Sequence, residues 1–125
     1  MQNLIRGFAL LIVIALVSLP LLAAADGVKQ VPSKHVCFIT GKRYDKTLPA
    51  EVINGKKYYY CHEDCFNQLK SDPATRTAID PMSGVKVDKA DAVVGVDKNG
   101  NVFYFENMYN LHKFRVSAGA IPTGE

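Results

Sequence analysis

The sequence lacks the devices on which most enzymes depend. It has no phosphate-binding loop, no nucleophile paired with a base and no well-separated carboxylate pair suited to hydrolysis. The chain therefore reads as a binding protein and not an enzyme. Charge of one sign is missing too. Of 15 basic side chains only Arg6 falls in the first 25 residues, so the other 100 residues carry 14 basic against 12 acidic groups, without long runs of either. That mild balance leaves no electrostatic footprint for nucleic acid. Cysteine is scarce: Cys37, Cys61 and Cys65 are the only three. An odd number leaves two options outside the cytoplasm, one disulfide with a spare thiol or three thiolates on one metal ion.

The one long apolar run lies at the start. Met1 to Arg6 carries a single positive charge, residues 8–22 are apolar apart from Ser18 and Pro20, and Ala23-Ala24-Ala25 supplies small residues before Asp26. This pattern predicts a cleaved secretory signal peptide over 1–25, and a periplasmic or secreted product with no membrane attachment after cleavage. The alternative is an uncleaved anchor. Residues 7–25 would barely reach the ~20 residues a spanning helix needs.

Residues 26–34 are polar, aperiodic and contain Pro32, which predicts a flexible leader. Cys37 to Gly41 then forms a tight knuckle. Asn54-Gly55, between Val52-Ile53 and Tyr58-Tyr59-Tyr60, is a strong hairpin signal, because both turn positions favour positive φ. From His62 to Ser71 the spacing is helical, with Cys65, Phe66 and Leu69 on one face, and Asp72-Pro73 ends it. Glu63 and Asp64 complement the helix dipole.

The same order recurs. Asp80 to Asp88 is a second knuckle-like entry. Ala92 to Val96 and Val102 to Phe105 flank Asn99-Gly100, and residues 106–116 are helical, with Met108, Leu111 and Phe114 in phase. An offset of 45 places Asn54-Gly55 over Asn99-Gly100, Tyr58-Tyr59-Tyr60 over Phe103-Tyr104-Phe105 and Phe66 over Leu111 without gaps. Gly41 falls over Gly84 at an offset of 43, so the second copy has two extra residues in its first strand or turn. This is an internal duplication. Its second copy keeps the scaffold and loses the thiols, since Cys61 lies over Glu106 and Cys65 over Asn110. Residues 118–125 read as a polar tail.

Three thiolates suit a soft ion. Zinc in structural sites takes four ligands, which makes His35 or His62 the candidate fourth, with water another, whereas Cu(I) accepts three sulfurs. His35, two residues before Cys37, shares its face on an extended chain. His62 points about 100° away from Cys61 on a helix. Met82 and Met108 read as core fillers before copper ligands, His112 as a surface residue, and the tyrosines as core. A disulfide, Cys61–Cys65 or Cys37–Cys61, with one thiol left over is the competing reading, and the first pairing is awkward within one helical turn.

Asp80-Pro81-Met82-Ser83-Gly84 and the aromatic lead into Cys61-His62-Glu63-Asp64-Cys65 resemble the YHS family, within the wider TRASH-like group of small metal-binding domains. Cys37-Phe38-Ile39-Thr40-Gly41 is similar to the looser opening of some members. The resemblance covers residues 35–73 and 80–117. It implies treble-clef-like, zinc-finger-like modules associated with heavy metals, often copper, and places Cys37, Cys61 and Cys65 on the family's cysteines. It puts Ser83 where the second copy's opening cysteine would stand.

The expectation is an α+β protein of two ββα treble-clef-like units (knuckle, β-hairpin, short helix) packed as a pseudo-dimer. It would bind one Zn or Cu(I) ion for sequestration, resistance or delivery to a metalloprotein or metal-transport partner. An interaction module with a structural zinc is the alternative. A thiol–disulfide oxidoreductase is a weaker one, lacking C-x-x-C spacing and a βαβ context.

Overall fold

The computed structural model describes residues 27–119, so the expected signal peptide lies outside the described residues, as does the tail from residue 120. Side-chain burial is described to residue 116. The architecture is α+β, with two helices and three small antiparallel sheets among the described residues.

Strands β1 (Val28–Gln30), β2 (Ala50–Ile53) and β3 (Lys56–Tyr59) precede helix α1 (Glu63–Ser71). β2 and β3 pair as the expected hairpin, with Ile53 opposite Lys56. The two-residue turn works because Asn54 and Gly55 both take positive φ, 52° and 79°. α1 starts one residue later than expected, on the extended N-cap His62, so Cys61 precedes the helix and Cys65 lies in its first turn. Cys65 and Leu69 are fully buried, while Phe66 is half-buried against Tyr60 at 5.3 Å between ring centres. Asp72 ends the helix, and its carboxylate accepts from Ala74 N–H at 3.0 Å, opening a short 3-10 turn over Pro73–Arg76.

Strands β4 (Thr77–Ile79), β5 (Lys86–Asp88), β6 (Val93–Asp97) and β7 (Val102–Phe105) and helix α2 (Met108–Gly119) build the second half. α2 begins two residues later than expected and continues past residue 117, into the expected tail. Asn107 caps it, its side-chain oxygen accepting from Asn110 N–H at 2.9 Å. Leu111 is fully buried on this helix, but Met108 is 40% exposed and fills no core. His112 is exposed as expected.

The segment read as a flexible leader is instead partly β1, which pairs antiparallel with β6 and makes a three-stranded sheet, β1-β6-β7. Three residues are too few to show an alternation. Packing explains the strand: Val28 is buried against Phe105 and Leu111. Gly95 makes the approach feasible, because a Cβ there would lie 2.5 Å from a Val28 methyl carbon.

The repeat is visible in backbone hydrogen bonds. In the first knuckle Gly41 N–H donates to Cys37 C=O at 2.9 Å and Cys37 N–H to Lys42 C=O at 3.0 Å. In the second, Gly84 N–H donates to Asp80 C=O at 2.8 Å and Asp80 N–H to Val85 C=O at 2.9 Å. Gly41 and Gly84 close them at φ of 69° and 72°. Asp80, not Ser83, therefore occupies the position of Cys37. The gap-free alignment also fails at the turn. Val94 pairs with Tyr104 as Ala50 pairs with Tyr59, so the incoming strands are offset by 44 and the outgoing by 45. The second turn has the extra residue. Gly100 N–H bonds Asp97 C=O at 3.1 Å, Gly100 alone takes positive φ (86°), and the Asp97 carboxylate collects the N–H groups of Asn99 and Asn101.

One apolar cluster spans both halves, joining Val36, Phe38, Tyr58 and Leu69 to Val94, Val96 and Tyr104. Phe38 sits at its centre, edge-on to Tyr58, Tyr59 and Tyr104 at 5.7–6.3 Å. A polar link runs beside it: Asp88 accepts from Tyr58 Oη at 2.9 Å and from Lys56 Nζ at 3.2 Å, and Lys56 also pairs with Asp91.

Candidate metal centre

Three separate pieces of chain bring the cysteines together. The knuckle supplies Cys37, the exit from the β2–β3 hairpin supplies Cys61, and the first turn of α1 supplies Cys65. Phe38 N–H bonds Tyr59 C=O at 3.0 Å, which docks the knuckle on the hairpin. Leu48 closes the cluster from the side. The three sulfurs lie within 4.8 Å of one another. Cys61 and Cys65 sulfurs are 3.7 Å apart, close to the ~3.8 Å spanned by two sulfurs each ~2.3 Å from a tetrahedral zinc. All three are free thiols. Cys37 and Cys65 are fully buried and Cys61 is partly open. This set can hold one metal ion.

The electrostatics are uneven. Burial alone would push Cys37 up. The Thr40 hydroxyl, the backbone N–H groups of Thr40 and Ile39, and Cys61 together outweigh it and bring the thiol down to about 7. Burial, with Cys37 and Cys61 alongside, pushes Cys65 up to about 12. Three neighbouring sulfurs cannot all ionise against each other, and a cation among them would remove that conflict. Tyr44 faces the same cluster. Contact of its hydroxyl with Cys61 raises its pKa, with burial and the charges of Cys61, Cys37 and Cys65 adding to the rise.

The histidines separate. His62 Nε2 lies 3.6 Å from Cys65 sulfur. His35 is tied in through its main chain, its carbonyl accepting from Tyr44 N–H at 2.8 Å. It thereby fixes the backbone from which Tyr44 reaches the cluster. Sequence reasoning missed Thr40 and Tyr44. The knuckle spacing Cys-x-x-Thr-Gly signals the first, whereas no local pattern signals the second.

No family model matches the chain, and no curated protein or solved structure matches it.

The second half shows what replaces the thiols. Asp80, Glu106 and Asn110 stand at the positions of Cys37, Cys61 and Cys65. Asp80 Oδ2 accepts from Glu106 N–H and from Asn110 Nδ2, both at 2.8 Å. Asp80 Oδ1 accepts from Met82 N–H at 2.7 Å and Ser83 N–H at 3.2 Å. Ser83 Oγ in turn donates to Glu106 Oε2 at 2.8 Å. A buried carboxylate thus ties the knuckle, the hairpin exit and the helix together through hydrogen bonds, where the first half has sulfurs.

Proposed function

We propose that the chain is an exported heavy-metal-binding protein of the YHS/TRASH-like kind, built from two treble-clef-like units of which only the first binds metal. Cys37, Cys61 and Cys65 are its ligands, and His62 is the fourth where the ion is zinc. Periplasmic or extracellular placement follows from the signal-like residues 1–25. The protein sequesters the ion or delivers it to a metalloprotein or metal-transport partner, with no catalytic step of its own. The observation that carries this reading is the convergence of all three cysteines of the sequence within 4.8 Å. Softness of the donors favours Cu(I) or zinc over hard cations, and the partly open Cys61 gives a partner's ligand a sulfur to attack.

Full burial of Cys37 and Cys65 favours a second reading, in which zinc is structural and the protein works as an interaction module. Metal exchange separates the two. The zinc-loaded full-length protein is mixed with one equivalent of Cu(I) under reducing conditions and released zinc is followed with a chromophoric chelator. Transferable binding predicts stoichiometric release within minutes. Zinc retained for hours in the presence of Cu(I) contradicts it and supports the structural reading.

A further inference from the structure

Lys89 belongs to the second half, between β5 and β6, yet its side chain crosses to the first. Its Nζ donates to the Phe38 carbonyl at 2.6 Å and lies 5.2 Å from the centre of the Tyr104 ring. Its own backbone N–H is fixed to Arg76 C=O at 2.9 Å. Among the described residues no carboxylate pairs with this half-buried ammonium, and the neighbouring Asp88 is engaged by Lys56, Tyr58 and Ala90 N–H. A cation held out of water without a carboxylate is costly unless another negative group offsets it.

The peptide that Lys89 grips supplies the connection. The Phe38 carbonyl and the Ile39 N–H belong to one peptide group. Ile39 N–H is among the groups that pull the Cys37 thiol down. The ammonium therefore sits on the carbonyl oxygen of the residue next to a candidate ligand. Three thiolates outweigh the charge of a monovalent or divalent ion, so a loaded centre is anionic.

We propose that Lys89 is a positioning residue for the metal centre: it locks the Phe38 carbonyl in the knuckle that carries Cys37 and supplies the countercharge of the tri-thiolate site. Lys89 thereby makes the thiol-free half a working part of the centre. This inference rests on the metal-binding reading above. Burial pushes the Lys89 ammonium down from its ordinary value and the charge of Cys37 pulls it back, in keeping with that pairing.

The test uses the full-length protein titrated with Co(II) and then with Zn(II) in competition. Loss of such an outer partner typically weakens metal binding 10–100-fold, so Lys89→Met is expected to lower Zn(II) affinity by about that factor. It should also move the sulfur-to-Co(II) charge-transfer band to lower energy, because the thiolates become more electron-rich. Lys89→Arg should restore the band position. Lys56→Met, which breaks the other charged link between the halves, should leave the band in place whatever it does to stability. Lys89→Gln takes the place of Lys89→Met, with the same expectation, should the latter not fold. An unmoved band in the charge-removing variant, with Zn(II) affinity within about twofold of wild type, overturns the Lys89 inference alone. A wild-type protein that binds neither ion overturns it together with the metal-binding reading.

Discussion

Two residues at matching positions, Cys37 and Asp80, show how one scaffold satisfies the same corner in two ways. Both open a knuckle closed by a glycine, and both face a helix and a hairpin exit. Asp80 is fully buried. Burial alone would raise its carboxyl, but the Asn110 amide and the N–H groups of Glu106, Met82 and Ser83 outweigh it and hold the group below the ordinary carboxylate value. Asp80→Asn replaces one acceptor oxygen with an amide NH2 that faces other donors. Leaving those donors unpaired is expected to cost about 1–3 kcal/mol by urea denaturation at neutral pH. The sign with pH follows from a depressed folded pKa. The charged form's contribution is complete above the unfolded value of about 3.9 and fades as pH falls through the lower folded value. The gap between wild type and Asp80→Asn should therefore narrow below about pH 4, and a gap that is constant with pH would show that ionisation of Asp80 is irrelevant.

At the scale of elements, the hairpins and helices were legible because their signals are local. Asn54-Gly55 marks a two-residue turn, and the spacing of Cys65 and Leu69 marks a helix face. What escaped was set by pairing at a distance. β1 is three residues long and forms because β6 offers it an edge and Gly95 offers it room. The bulged turn at Asn99-Gly100 escaped because its dipeptide is identical to the first, while Asp97 selects a different turn. The site was legible in its cysteines, which are few and oddly numbered, and illegible in Tyr44 and Lys89, whose relation to them is purely tertiary. Gly95→Ala tests the account of β1. A methyl group there must displace Val28, Phe105 or Leu111, and overpacking of this kind typically costs 1–3 kcal/mol. Hydrogen exchange should show lost protection at Val31, whose N–H bonds Val94 C=O at 3.0 Å, before loss in β2 and β3. Uniform loss across the whole chain would contradict a locally packed β1.

At the scale of the molecule, the two halves share an apolar cluster, the Asp88 links and the Lys89 crossing, so the cysteine cluster is braced by both halves and not by its own alone. Small units of this size are commonly marginal without a metal or disulfide. Here the second half has its hydrogen-bonded corner in place of sulfurs and lends the first an apolar wall. The central claim is that the three cysteines form one metal site. It is tested most directly by purifying the full-length protein under reducing conditions and measuring bound metal and free thiols on the same sample, for wild type and Cys61→Ser. The account predicts about one Zn or Cu ion per wild-type chain, three thiols recovered after the metal is stripped, and little metal in Cys61→Ser. A metal-free wild type carrying a Cys61–Cys65 disulfide would contradict it.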